Sequence, residues 1–536
     1  MPTLDISPPP NNAQSRANRE GHLVLLDEVR SLEARVVATS AKAEARMRKR
    51  NQLLPRERVS LLLDRNTSFL ELSTLCGLGM HDDDGVDRVM GAGVIAGIGE
   101  VSGRRVMIMA NDAGIAGGAM HPMGIRKIVR AQEIALENRL PYVQLVESAG
   151  ANLMLQAELF VEGGKQFANL AKLSAAGVPV IAVVHGSSTA GGAYQPGMSD
   201  YVIMVRGRSK VFLAGPPLLR AATGEIANDE DLGGAELHAS TTGLAEYLAE
   251  DDGDAIRLAR ELVAKVVPEL ARPAVGGHAP LRSADDILAL APTDYRHPYD
   301  VRAVIARVVD GSDFLDFKPD FGFATVCGQA HVGGHAVGLI GNNGPIDSAG
   351  ANKATQFIQA CCQGGIPIVF LQNTTGFMVG TEAEASGIVK HGSKFIQAVT
   401  NATVPKLTIQ MGGAFGAGAY AMCGRAFGPR FIFSWPTNRL AVMGGEQAAK
   451  VLGFVAEDAA RGRGTEPDRD AIEARGAEIR AAYERESTAL FTTARLWDDG
   501  IIDPRHTRDV LIHCLDTIEM GAAKEPRPST FGVARF

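Results

Sequence analysis

The sequence predicts an α/β fold built twice, as two copies of one domain in tandem, and three observations predict it. Short β-branched runs (VIAGIGEV, VMIMAND, PYVQLVES, PVIAVVHG) alternate with Gly turns and helical stretches, the pattern of sheets covered by helices. Between Val266 and Asp285 the composition shifts to Pro268, Pro273, Gly276, Gly277 and Pro280, a linker that divides the chain nearly in half. The two halves resemble each other. A shift of 226 residues lays Pro141 on Pro367, Leu145 on Leu371, Gly150 on Gly376, Pro179 on Pro405, Gly186 on Gly412, Gly192 on Gly418, Ala193 on Ala419 and Tyr194 on Tyr420. Loops absorb the rest: Asn111 falls on Asn342 at an offset of 231, and Phe69 and Leu70 on Phe314 and Leu315 at 245.

Taken in order, residues 1–21 carry Asp5 and a Pro run where a signal peptide needs a charged start and an apolar centre, and are expected to be mobile. From His22 to Arg50 apolar residues recur near helical spacing, ending in Arg46, Arg48, Lys49 and Arg50, a basic run that reads as a solvated helix face or a phosphate contact. One domain is expected over 22–268, a linker over 269–285 and a second domain over 286–536. In each half a Pro opens an apolar strand, VPVIAVVHG or VPKLTIQMG, which enters a small-residue turn, SSTAGGAY or GAFGAGAY, before another helical segment.

Composition narrows the function. At 536 residues and about 100–200 per domain, the chain is long enough for several cores. Lys plus Arg at 54 against Asp plus Glu at 61, without a strongly basic domain, argues against nucleic acid. The six cysteines form no CxxC and no zinc or disulfide spacing, so they read as small core residues in a reducing compartment. No segment offers 18 uninterrupted apolar residues, and a cytoplasmic protein without membrane contact is expected.

A strand, Gly-rich backbone and a helix start expose several main-chain N–H groups pointing one way, with the positive helix end behind them. Such a turn suits a developing oxyanion or a phosphate, and glycine lets a ligand reach the backbone. The phosphate motifs do not match: neither turn has the lysine of a P-loop, and GGAFGAG lacks the GxGxxG spacing, with Glu446 as its next acid. There is no GxSxG elbow, since Ser187 and Ser188 precede the glycines, and His185 in its apolar strand reads as a core histidine. The turns are then either close helix–sheet packing or two oxyanion holes without a nucleophile. Two such holes suit a reaction with two carbonyls, a thioester whose enolate is stabilised and a ureido carbonyl that becomes a leaving group.

At these residues the sequence resembles the carboxyltransferase β subunits of biotin-dependent acyl-CoA carboxylases, most of all the methylcrotonyl-CoA and geranyl-CoA branch. The resemblance runs from LLPRERV at Leu53 to the C-terminus and rests on RAQEIALENRLP, VPVIAVVHGSSTAGGAY, LAGPPLLRAATGE, GIPIVFLQNTTGFMVG, GAGAYAMCGRAF and VMGGEQAA. It implies two tandem crotonase-like domains per chain and a homo-oligomer, a hexamer of β chains, with active sites between subunits. It implies that Gly191 and Gly192 hold the acyl-CoA thioester and that Ala417 and Gly418 hold the ureido carbonyl of carboxybiotin. Gly150, Ala190, Gly376, Phe377 and Gly416 would line the substrates. The partner is an α subunit with biotin carboxylase and biotin carrier domains, to which the ATP and magnesium belong, and no metal is expected in this chain. Polarising the ureido oxygen releases CO2, the biotin nitrogen takes a proton from the acyl-CoA, and the enolate attacks CO2. On an α,β-unsaturated branched acyl-CoA, as in leucine or isoprenoid catabolism, the attack comes from the γ carbon. Arg126 and Lys127, with Arg130, on the helix after Pro122 are CoA-phosphate candidates, or a solvated face.

Two positions depart from the branch, and a third, Tyr420, argues against propionyl-CoA. Ala419 stands where the methylcrotonyl enzymes carry Asn, IAGG at Ile115 lacks a lysine, and Tyr420 replaces the acid of the propionyl branch. They bear on acyl-chain preference more than on reaction type. The alternatives are a biotin-dependent decarboxylase subunit running the transfer in reverse, a biotin-independent enoyl-CoA hydratase or isomerase using Glu147, and a non-catalytic assembly subunit.

Overall fold

The computed structural model describes residues 4, 7–80, 89–268, 276–523 and 533. They form two units, each an α/β sheet with helices against it, as the alternating pattern predicts. In one sheet the order is Leu70–Glu71, Val94–Val101, Arg104–Asn111, Tyr142–Ser148, Val180–Thr189, Tyr201–Val205, Tyr247–Ala249, with Lys210–Phe212 beside Val180–Thr189. The other repeats it: Leu315–Asp316, Thr325–Val332, His335–Asn342, Ile368–Thr374, Lys406–Phe415, Phe431–Ser434, with Arg439–Ala441 beside Lys406–Phe415. In both, an antiparallel hairpin leads into parallel strands. The parallel strands are buried on both faces, which is why they read as continuous apolar runs without alternation.

The repeat reaches down to irregularities. Each sheet breaks register at the same place, between Val146 and Ser148 and between Gln372 and Thr374. Asn111 and Asn342, matched in sequence, each accept the N–H of the residue inside that break, Glu147 or Asn373. Phe69 covers Gly97 as Phe314 covers Gly328; a Cβ on Gly97 would lie 2.6 Å from the Phe69 ring. In the first sheet one face packs on Val59, Leu62, Ile256 and Val263, and the other buries Val146, Val184 and Met204.

The units do not follow chain order. One comprises Met1–Arg30, Ala274–Thr493 and Trp497–Leu515; the other comprises Ser31–Pro273, Ala494–Leu496 and Asp516–Phe536. The sequence-drawn boundaries, 22–268 and 286–536, differ by these exchanged terminal segments. Of the segment expected to be mobile, residues 1–3 and 5–6 lie outside the described residues, but a helix runs from Ala13 to Ala41. Asn12 caps it through the Ser15 N–H at 2.8 Å, and Asn18, nearly inaccessible, donates to the Ala289 carbonyl at 3.1 Å. The buried Ser15 and Asn18 and these bonds tie down residues 13–21, which composition alone marked as mobile. Of the expected linker, 269–275 lie outside the described residues.

Candidate functional site

The Val180–Thr189 strand ends in a tight turn over Ala190–Ala193, and Lys406–Phe415 ends in the short helix Gly416–Ala421. Neither N-cap residue, Thr189 or Phe415, caps its turn with a side chain. The first N–H groups, those of Ala190, Gly191 and Gly192 and of Gly416, Ala417 and Gly418, therefore have no intrahelical or capping acceptor. Both turns open on left-handed backbone, with φ +51° at Ala190 and +55° at Gly416. Gly191 and Ala417 are accessible, whereas Gly192 and Gly418 are buried.

Each turn rests on the strand end beside it. A Cβ on Gly192 would lie 2.9 Å from Ser148 Cβ, and one on Gly418 2.7 Å from Gly376 Cα. Gly150 and Gly376 are left-handed at φ +83° and +116°, and a Cβ on Gly150 would approach the Thr189 carbonyl to 3.2 Å. Their N–H groups donate to the Ser148 and Thr374 hydroxyls, and their carbonyls accept from Met120 and Ile346. The structure thus brings Gly150 to Ala190, Gly191 and Gly192, and Gly376 to Gly416, Ala417 and Gly418. Phe377 is placed differently from a wall residue: its ring, half-buried, packs on Gly392 and the helix Ile388–Asn401.

Behind the first turn lies a buried charge network. Asp252 contacts His185 Nδ1 at 2.8 Å, Arg58 Nε at 3.3 Å and Arg208, and also accepts the Leu53 N–H at 2.7 Å. Burial opposes the charge of Asp252, but His185, Arg58 and Arg208 outweigh it and hold the carboxyl far below the usual range. Arg58 also pairs with Glu147 at 2.7 Å, whose second oxygen takes Gln52 at 3.0 Å. His185 is wholly buried, as its strand implied.

A cavity of about 560 Å³ opens over this network, lined by Arg50, Gln52, Gly117, Glu147, Ser148, Gly186, Ser187, Arg208 and Lys210 among others. Its floor joins the residues just before Gly150 and before the Ala190 turn. Sequence reasoning had singled out Arg50, through the basic run, and Glu147. It missed Gln52, Arg208 and Lys210, which carry no motif: Lys210 arrives through register with Ser187, and Gln52 and Arg208 through side-chain contacts with Glu147 and Asp252.

Arg126 is exposed on the helix Pro122–Glu137, but Lys127 is a correction. Its ammonium is buried and donates to the Val94 carbonyl at 2.6 Å, so it cannot face a CoA phosphate; burial also lowers its pKa. The repeat explains it: Lys353, at the same offset, is likewise buried and donates to the Phe321 carbonyl at 3.0 Å. Lys127 thus holds the start of the strand Val94–Val101, and Lys353 a bend at Phe321. Arg130, also named on that face, is buried. Among the described residues no group of three or more His, Cys, Asp or Glu could hold a metal ion, and no helix is long and apolar enough to cross a membrane.

The carboxyl transferase domain model matches residues 46–530. The chain belongs to that family. It is 48% identical over 515 residues to a probable biotin-dependent acyl-coenzyme A carboxylase β2 subunit of Mycobacterium tuberculosis, covering 95% of this chain and 96% of that one. With a probable mitochondrial methylcrotonoyl-CoA carboxylase β chain of Drosophila melanogaster the identity is 44%, covering 98% and 94%. The crystal structure of the P. aeruginosa geranyl-CoA carboxylase β subunit superposes with a TM-score of 0.93 at 51% identity, each chain covered completely. The fold is that of this carboxyltransferase family, with two crotonase-like domains.

Proposed function

We propose that this chain is the carboxyltransferase β subunit of a biotin-dependent acyl-CoA carboxylase acting on a branched, α,β-unsaturated acyl-CoA of the methylcrotonyl or geranyl type. The observation that carries the reading is the duplication of an uncapped main-chain turn, matched in φ, exposure and supporting hydroxyl. A reaction with two carbonyl oxygens to stabilise needs two such donor sets, and needs no nucleophile from the chain. The family membership and the similarity to methylcrotonyl and geranyl enzymes support the same assignment.

In this reading the N–H groups at Gly191 and Gly192, beside Gly150 and Ala190, hold the thioester oxygen as negative charge develops on it. Those at Ala417 and Gly418, beside Gly376 and Gly416, hold the ureido oxygen, with the main chain at Phe377 forming the adjacent edge. Carboxybiotin, carried by a partner α subunit, supplies the CO2 and a nitrogen that accepts the acyl-CoA proton. Because the donors are fixed by backbone, they need no reorganisation as the charge appears. Arg50 at the cavity and Arg126, exposed on the same unit, offer positive charge to a polyanionic coenzyme A, whereas Arg208 and Lys210 are paired with Asp252 and Glu230. A hexamer of β chains in the cytoplasm completes the proposal; the six cysteines, all free and five of them buried, fit a reducing compartment.

A hydratase acting alone through Glu147 is disfavoured by the Arg58 and Gln52 contacts that occupy both carboxylate oxygens. The test is carboxylation by copurified α and β chains on acetyl-, propionyl-, methylcrotonyl- and geranyl-CoA. Turnover confined to the branched unsaturated esters, and requiring biotinylated α subunit, is expected. Hydration without biotin would overturn the assignment.

A further inference from the structure

The two sheets differ at one set of buried positions. In the first, Val146, Val184 and Met204 stand side by side on neighbouring strands in an apolar cluster. In the second, the same places on the sheet hold Gln372, Gln410 and Ser434, in register and essentially inaccessible to solvent. Replacing packed hydrocarbon by polar groups is costly unless every member is satisfied, and here they form one line. Gln372 Nε2 donates to the Ala419 carbonyl at 2.8 Å, Gln410 Nε2 donates to Gln372 Oε1 at 2.9 Å, and Ser434 Oγ lies 2.9 Å from Gln410 Oε1. Beyond it, Asp498 Oδ2 lies 2.7 Å from Ser434 Oγ. The line therefore ends on the helix that carries Ala417 and Gly418.

Proton counting orients the line. The Ala419 carbonyl accepts only, so Gln372 must turn its amide nitrogen to it and its oxygen to Gln410. Gln410 then presents oxygen to Ser434, with Asn438 Nδ2 at 3.4 Å from that oxygen and 3.3 Å from Ser434 Oγ, and the single Ser434 hydroxyl proton goes either to Gln410 or to Asp498. It goes to Gln410 when Asp498 carries a proton of its own to fill their short contact; when Asp498 is ionised the hydroxyl donates to the carboxylate, and Gln410 keeps only the longer contact from Asn438. The other oxygen of Asp498 accepts the Gly500 N–H at 3.0 Å.

We propose that Asp498 is a positioning residue for the second turn: as a neutral acid it donates to Ser434 and so holds the Gln410–Gln372–Ala419 line, and its ionisation turns the Ser434 hydroxyl away and slackens that hold. Burial supports this, raising the carboxyl to about 6, with Ser434 and Thr493 opposing the rise and the charge of Asp499 adding to it. Asp499 is the charged neighbour, itself held by Arg425 at 2.8 Å and the Ile432 N–H.

The proposal rests on reading this turn as the ureido-oxygen site, and the experiment separates the two. Amide hydrogen exchange of the full chain is followed from pH 5.5 to 8, corrected for intrinsic exchange, comparing the segment 416–424 with 190–197, which the neighbouring strand holds through Gln144 Nε2 on the Gln195 carbonyl at 3.0 Å, a contact with no carboxyl in it. Relative protection of 416–424 is expected to fall roughly tenfold per pH unit at most above the Asp498 titration. In Asp498→Asn, where an amide always donates to Ser434, this limb disappears. Ser434→Ala, which cuts the line without touching the carboxyl, also removes it, and the wild-type comparison needs no variant. A wild-type ratio that stays flat, or a limb that persists in both variants, overturns the link. In parallel, the carboxylation rate of the holoenzyme is expected to lose the same limb in Asp498→Asn. An exchange limb without a matching rate limb would support the link and overturn the ureido reading of the turn.

Discussion

Alanine at Gly418 tests the site where the backbone leaves least room. The added Cβ would sit 2.7 Å from Gly376 Cα and 3.0 Å from its carbonyl carbon, both main-chain atoms with no rotamer to change. Gly376 is itself held at φ +116° with its N–H on Thr374, so relief must come from the turn, which carries the Ala417 and Gly418 N–H groups away from their places. Loss of one oxyanion donor costs about 2.7–4 kcal/mol, so kcat for carboxylation should fall roughly 10²–10³-fold. Overpacking of this kind costs about 1–3 kcal/mol of stability, enough to measure but not enough to unfold the chain. The control is Gly191→Ala, whose Cβ would meet only the Phe167 ring edge at 3.7 Å while keeping the N–H; its kcat should stay within about threefold of wild type, since ordinary van der Waals contact is not strain. The assay is acyl-CoA-dependent carboxylation by the copurified complex, with the oligomer checked by size. If Gly418→Ala turns over within about threefold of wild type, comparable to the control, the turn does not supply the stabilisation assigned to it.

Three further outcomes are expected. Asp252→Ala strips the counter-charge from Arg58, Arg208 and His185 and should destabilise its unit by about 3–5 kcal/mol in urea unfolding. In the wild type the Asp252 contribution is complete above its unfolded pKa near 3.9 and fades as pH falls through its lower folded value, so the loss in Asp252→Ala should narrow toward strong acid. Lys127→Met leaves the Val94 carbonyl without its donor and should lower stability by about 1–3 kcal/mol with KM for acyl-CoA unchanged, and Lys353→Met should behave alike. Arg50→Ala, an exposed cation lining the cavity, should raise KM for acyl-CoA several-fold, an effect that shrinks as salt screens it, while kcat holds.

The linear pattern was enough for the architecture because both signals it uses are local or repetitive. β-branched runs between glycines mark strands wherever they occur, and a constant offset needs no coordinates to detect. The same offset located both turns and their strand-end partners, Gly150 and Gly376, and the structure shows that each pair meets. Those pairs were legible because close backbone approach demands glycine, and glycine is visible in sequence.

What depended on tertiary structure was the direction of side chains and the destination of chain ends. Lys127 and Arg126 are neighbours on one helix, yet one is buried on the Val94 carbonyl and the other exposed, since a helix turns about 100° between them. The helix from Ala13, as far as Arg30, joins the unit built from the second half because its partners, Asp285, Ala289 and Ala291, lie more than 260 residues away in sequence. Lys210 reaches the cavity on a short strand paired to Val180–Thr189, with Arg208 in the turn before it, and Gln372, Gln410 and Ser434 form a line only because parallel strands place them in register, with Asp498 brought to its end by a bend. Contacts of this kind join residues with no common spacing, so no periodicity announces them; folding creates them when the sheets pair.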